Sequence, residues 1–357
     1  MFLIPESEMT QKPDRMALFS AAAGLALAAG AASGQFAGFS EPVFIETTQY
    51  PWSLAAADLN GDGHDDLAVM DFVGDVGVLL SNGDGTFADV QILEPGATRA
   101  RSNPRVADVD GDGNADIIAA TNVGVAIFYG NGDGTFDASV FVNAEKTDAV
   151  AVGDLDGDGL LDAVLAIQPD PDDLASEIVI SLNDGGRTFA GQTSITRMCL
   201  SPWDMALADI DGDGALDLVA GDPSGNRLLV FRGNGDGSFG GPDELSTSAN
   251  PGTVAVGDLN GDGHPDIANT NGTGCRTVDI FFNNGDGTFG SPARYEADSA
   301  SGLLVIGDVN NDGLADLLTS GPGQSGVVVA IGNGDGTFRA GQAFAAGGVS
   351  VRGTLGD

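Results

Sequence analysis

The chain has 357 residues and a formal net charge of −38, with 14 Lys and Arg against 52 Asp and Glu. So few basic residues exclude nucleic acid and anionic membrane surfaces as partners, because clustered cations hold both. Two cysteines exclude a disulfide scaffold, and two histidines leave little for a His-based catalytic or zinc site.

The first element in chain order is an apolar run over 17–32 (ALFSAAAGLALAAGAA), preceded by Lys12 and Arg15 and followed by small residues. It reads as an export signal over 1–33, cleaved near Ala32 to Gly34, with an N-terminal helix or membrane anchor as the competing reading. The run is short for a span, and no later segment can cross a bilayer, so the mature chain is not expected to insert in a membrane. The long acidic stretch before it makes Met9 an alternative start. Residues 35–48 (QFAGFSEPVFIETT) then read as a lone strand.

From here one device governs the sequence. A nine-residue acidic loop, D-[LVI]-[DN]-[GN]-D-G-x-x-D, starts at Asp58, Asp108, Asp154, Asp209, Asp258 and Asp308, at intervals of 46 to 55 residues. Its oxygen donors at alternate positions suit a hard cation that takes six to eight oxygens, which is calcium rather than zinc or magnesium. The expected ligands of the first loop are Asp58, Asn60, Asp62 and Asp66 with the carbonyl of His64. The second offers Asp108, Asp110, Asp112, Asp116 and the carbonyl of Asn114, and the third Asp154, Asp156, Asp158, Asp162 and that of Leu160. The fourth offers Asp209, Asp211, Asp213, Asp217 and the carbonyl of Ala215. The fifth has Asp258, Asn260, Asp262, Asp266 and His264, and the sixth Asp308, Asn310, Asp312, Asp316 and Leu314. The Gly at position six (Gly63 in the first loop) supplies the positive φ that wraps the chain round an ion. Of the 52 acidic residues, 21 occupy these ligand positions, so six ions would move the net charge from −38 to −26.

An EF-hand is excluded by position twelve. It requires a bidentate Glu there, and the chain has Val69, Ala119, Leu165, Ala220, Asn269 and Thr319.

About twenty-five residues after each loop start comes N-G-D-G-[ST]-F, a tight hairpin signal whose Gly and Asn accept positive φ. Four short apolar stretches per unit of about 50 residues, separated by turns, mark a β-propeller blade. The Phe closing each hairpin (Phe87, Phe136, Phe189, Phe239, Phe289, Phe338) is expected between blades. The third hairpin departs (Asn183 to Phe189), lacks the Asp, and is expected to take a different shape. After the sixth unit, Val349 to Asp357 begins a seventh. The sequence therefore suggests an all-β propeller over 34–357 with six complete repeats and a partial seventh. A seven-bladed plan closed by strands from both ends is favoured, and six-bladed closure is the alternative.

These loops and hairpins resemble the FG-GAP/VCBS repeat family, the calcium-bearing blades also found in the head of integrin α subunits. The resemblance covers about residues 36–357. It implies a propeller with calcium between strands one and two of each blade, and the same Asp and Asn ligands. It implies no activity, since the family includes adhesion modules, lectins and non-catalytic parts of glycan-degrading enzymes.

Strand direction puts the acidic loops and the hairpins on one face of the ring, which makes calcium a structural staple. Candidates for a ligand site fall on the other face. Trp52 and Trp203 follow Pro51 and Pro202 at one repeat position, and Arg99, Arg101 and Arg105 cluster within seven residues. Packing at blade entry and pairing with carboxylates are the competing readings for the two sets. The acidic connection from Gln168 to Glu177 reads as a solvated loop, and Cys199 and Cys275 share this face. Both histidines lie in acidic loops, which leaves no candidate for a Ser-His-Asp arrangement. The chain is thus expected to be a secreted or cell-surface, non-catalytic binding or adhesion module for an extracellular protein or glycan, with about six calcium ions. The alternative is a carbohydrate-active protein, lectin or polysaccharide-lyase-like, that works through the opposite face.

Overall fold

A computed structural model describes residues 16–21, 24–29, 43–45, 51–143, 145–168, 176–189, 193–198, 202–272, 276–297, 302–320, 326–345 and 350–356. Cys199, Cys275 and most of the connection after Gln168 lie outside the described residues.

Every regular element among them is a strand, and the strands form four-stranded antiparallel sheets. Blade 1 consists of Pro51–Ala57, Asp66–Asp71, Val76–Leu79 and Gln91–Leu93, paired in chain order. The same plan gives blade 2 over 105–141, blade 3 over 146–198, blade 4 over 205–246, blade 5 over 251–296 and blade 6 over 303–345. Each acidic loop joins the first strand to the second, and the last Asp of the loop opens the second strand. The partial seventh repeat contributes Ser350–Gly356 to a further four-stranded sheet. Its other members are Met16–Ala21, Gly24–Ala29 and Val43–Ile45, so the apolar run near the N-terminus supplies two of its strands. The repeats therefore give six blades, and no seventh blade with an acidic loop is present among the described residues.

First strands of successive blades lie side by side round the centre, and Ser350–Gly356 stands between those of blades 6 and 1. The second strands of blades 1 to 5 are buried along their whole length, whereas the fourth strands of blades 4 and 5 are largely exposed. Because side chains alternate across a sheet, each second strand feeds two interfaces at once. Ala68 and Met70 of blade 1 pack with Ile117 and Ala119 of blade 2. The intervening Ile118 and Ala120 pack with Ala163 and Leu165 of blade 3. Each fully buried Leu or Ile of these layers contributes about 1.5–3 kcal/mol. The hairpin Phe residues pack against the same layers, as their place in the repeat suggests: Phe136 joins the interface of blades 1 and 2, and Phe189 that of blades 2 and 3.

Candidate functional site

The acidic loop is shaped by its own backbone N–H groups. In blade 1, Asp58 Oδ1 accepts from Gly61 N at 2.7 Å and Asp62 N at 3.2 Å, and its Oδ2 accepts from Gly63 N at 2.8 Å. Asn60 Oδ1 accepts from Asp62 N, and Asp62 Oδ1 from His64 N, each at 2.9 Å. The last carboxylate, Asp66, is buried and spans two strands, taking Leu59 N at 2.9 Å and Ser81 N at 2.6 Å. The same bonds recur at Asp116, Asp162, Asp217, Asp266 and Asp316. Two positive φ angles make the turn: 76° at Gly61 and 83° at Gly63. The first of these was not singled out from the sequence, although its signal is the small residue at position four. Blade 6 fills that position with Asn311 at φ 56°, one of the few non-glycine residue types that accept it readily.

Donors of this kind fit a hard cation. Carboxylate oxygens of Asp108, Asp110 and Asp116 lie within 4.8 Å of one another, as do those of Asp154, Asp156 and Asp162 and those of Asp209, Asp211 and Asp213. Oxygens bound at about 2.3–2.6 Å on opposite sides of calcium stand about that far apart. Burial, against two backbone N–H bonds and with Asp110 and Asp108 beside it, pushes the Asp116 carboxyl up to about 6. Burial likewise raises Asp316 to about 6. A buried carboxylate whose charged form is disfavoured by burial and by neighbouring carboxylates is one that a cation would stabilise. The hairpin carboxylates are spent elsewhere: Asp84 Oδ1 accepts from Thr86 N and Oγ1, and this pattern repeats at Asp133, Asp236, Asp286 and Asp335.

Loop and hairpin share a face, as strand direction requires. Side chains at position seven lie on the glycine of their own hairpin: His64 on Gly83, Asn114 on Gly132, His264 on Gly285. Loops 2, 3 and 4 also bond to the hairpin of the next blade. Asn183 Nδ2 donates to Val109 O of blade 2 at 2.6 Å, Gly237 N to Leu155 O of blade 3 at 2.9 Å, and Asn283 Nδ2 to Ile210 O of blade 4 at 2.7 Å. All three acceptors are position two of an acidic loop.

On the opposite face the structure separates the candidates. Trp52 is half-buried, packs into the interface of blades 1 and 2, and meets Phe72 edge to face at 5.7 Å. Trp203, in contrast, is 49% exposed. Arg101 is paired with Asp148 of blade 3, where Lys146 also reaches that carboxylate at 3.0 Å. Arg105 pairs with Asp204 at 3.0 Å and donates to Val150 O and Met205 O, each at 3.3 Å, tying blade 2 to blades 3 and 4. Arg99 alone turns outward, with its guanidinium 5.3 Å from the ring of Phe72. The three arginines thus form no common basic patch. Sequence reasoning missed Phe72 and Val73, which are 42% and 41% exposed in the turn between strands two and three of blade 1. Two consecutive apolar residues in a short polar turn were the available signal.

A family model described as FG-GAP-like repeat matches residues 12–69, 58–119, 108–165, 154–220 and 209–269. No curated protein matches the chain. Among solved structures, the chain is similar to an Agrocybe aegerita lectin studied for recognition of non-reducing terminal N-acetylglucosamine. Identity is 22%, coverage is 93% of this chain and 90% of that one, and the TM-score is 0.67. It is also similar to the periplasmic gluconolactonase of Pseudomonas aeruginosa, with 12% identity, coverage of 96% and 99%, and a TM-score of 0.69. At these identities the likenesses speak for the fold alone.

Proposed function

The chain belongs to the FG-GAP-like repeat family, and from that premise we propose that it is a secreted calcium-binding β-propeller serving as a non-catalytic binding or adhesion module. The observation that carries the calcium role is the bond from each of three hairpins to position two of the preceding acidic loop. An ion held by Asp108, Asp110, Asp112 and Asp116 would fix the loop that Asn183 grips, and so join blade 3 to blade 2. The same reasoning applies to loops 3 and 4. Calcium would supply charge compensation and nothing more. At Kd values of ~0.1–1 mM and millimolar calcium, each site adds about 0.4–1.4 kcal/mol. Melting in excess EGTA tests this role: a fall of several degrees is expected, and an unchanged melt overturns it.

Recognition falls to the opposite face, where Trp203, Phe72 and Arg99 are available. A glycan is favoured as the ligand class over a protein epitope, because an exposed indole offers the flat apolar surface on which a sugar ring stacks. The likeness to a lectin supports this reading at the level of the fold. A glycan array run in calcium tests it: selective hits lost on Trp203→Ala support a lectin-type role. A blank array with retained binding to an extracellular protein assigns the module to protein adhesion. The non-catalytic reading rests on His64 and His264, which are held within acidic loops, and on repeated carboxylates already engaged by those loops.

A further inference from the structure

Blade 3 breaks the hairpin pattern, and the break is aimed at its neighbour's acidic loop. In five hairpins the residue before Thr or Ser is Gly at positive φ, between 73° and 85° (Gly85, Gly134, Gly237, Gly287, Gly336). Blade 3 places Arg187 there, at φ 67°. A non-glycine residue with a long side chain is unfavourable in this region, so something must hold it. Gly186 at φ 67° takes the place of the hairpin Asp and reshapes the turn. At three of these glycines a Cβ would overlap the apolar side chain below it: Leu80 beneath Gly134, Leu182 beneath Gly237, Phe282 beneath Gly336. The residue below Arg187 is Tyr129, and the guanidinium stacks 4.2 Å from its ring. Arg187 Nε then donates to Asp110 Oδ2 at 2.7 Å and Nη1 to Asp137 Oδ2 at 2.6 Å.

Asp110 is position three of blade 2's loop. Its Oδ1 accepts from Asp112 N, as Asn60 Oδ1 accepts from Asp62 N in blade 1. Asn60 has only that oxygen to offer an ion, so Arg187 holds the outer oxygen of Asp110 and leaves the inner one available. Blades 1, 5 and 6 carry Asn at position three and three carboxylates per loop, whereas blades 2, 3 and 4 carry four. Arg187 returns blade 2 to three. Arg232 does the same in blade 4, with Nη1 3.1 Å from Asp217 Oδ2. No described Lys or Arg pairs with the four carboxylates of blade 3.

We propose that Arg187 is a resident counter-cation of blade 2's metal loop. It weakens calcium binding there and clasps blade 3 to blade 2 when the ion is absent. The proposal rests on the calcium reading of the loops. A unit positive charge about 7 Å from a divalent ion at a solvent-facing rim is worth roughly tenfold in Kd.

The test is calcium titration of the full chain by calorimetry, with Asp108→Ala marking the blade 2 site by subtraction. Arg187→Asn removes the charge while tolerating the left-handed backbone. It is expected to tighten the blade 2 site about tenfold, to lower the melting temperature in EGTA, and to lose the gain when Asp108→Ala is added. Arg187→Lys keeps the charge and is expected to bind calcium like the wild type. Unchanged or weakened binding at that site in Arg187→Asn, with the other five sites intact, overturns the proposal alone. Absence of calcium binding to the wild type overturns both the proposal and the calcium reading.

Discussion

Asn283 offers the sharpest test of how loops and blades are joined. Its side chain is buried and makes four bonds: Nδ2 to Ile210 O at 2.7 Å and Pro265 O at 3.1 Å, and Oδ1 from Gly285 N at 2.9 Å and Gly287 N at 3.0 Å. Blade 1 has Ser81 at the same place, whose Oγ accepts only from Gly83 N at 3.2 Å. Asn283→Ser therefore keeps a residue the fold already uses and the bond to Gly285, and loses the other three. At about 1 kcal/mol for each lost bond, the cost is about 3 kcal/mol. For a chain of this length that corresponds to a fall in melting temperature of about 4 °C. Because the lost bond to Ile210 O is the grip on blade 4's loop, the stabilisation by calcium should also shrink. Scanning calorimetry in EGTA and in millimolar calcium reads both effects. A variant that melts within 1 °C of the wild type in both conditions would refute the view that the hairpin fastens one blade to the next loop.

The remaining predictions follow from burial and charge. Asp116 and Asp316, raised to about 6 from 3.8, hold more protons in the folded than in the unfolded chain between about pH 4 and 6. These groups therefore destabilise the calcium-free fold as pH rises through that window, and calcium binding, which needs them ionised, strengthens. The melting shift produced by calcium should be smaller at pH 5 than at pH 7.5, and a larger shift at pH 5 contradicts the assignment. Trp52→Ala should cost about 2 kcal/mol through a partly buried cavity, while Trp203→Ala should cost under about 0.5 kcal/mol. Equal losses in urea melts would show that Trp203 is packed rather than presented. Cleavage near Ala32 to Gly34 would take Met16–Ala21 and Gly24–Ala29 out of the sheet they form with Val43–Ile45 and Ser350–Gly356. Export signal and strand pair are therefore exclusive readings of this run. Intact mass of the exported protein is expected to place the mature N-terminus near Ala32 to Gly34, and a mass that retains Met16 refutes cleavage there.

The blades were legible because their chemistry is local. A loop that needs Asp, Asn and Gly at fixed offsets, and a hairpin that needs Asn and Gly at its turn, leave a pattern in nine or six consecutive letters. Asp66 illustrates the limit of that pattern. Its place as a ligand could be read from spacing, but its bond to Ser81 N, fifteen residues on, joins strands two and three and appears only in the fold. The arginines show the larger gap. Arg101 and Arg105 looked like one basic cluster because they are close in sequence, yet their partners are 47 and 99 residues away. Such pairs depend on which blade follows which round the ring, and no local signal records that. Ser350–Gly356 pairs with Met16–Ala21 across nearly the whole chain for the same reason.

The two faces of the ring therefore differ in what holds them. On the loop face, fully buried carboxylates are satisfied by backbone N–H groups of two strands, and the next blade hydrogen-bonds to the loop itself. Substitution there propagates across an interface. On the other face, ion pairs such as Arg101–Asp148 and Arg105–Asp204 already bridge blades without a metal. These pairs brace the turns around Phe72 and Trp203 independently of the loops. Chelation should accordingly loosen the loop face first, and weaken ligand binding on the opposite face only as far as the whole ring opens.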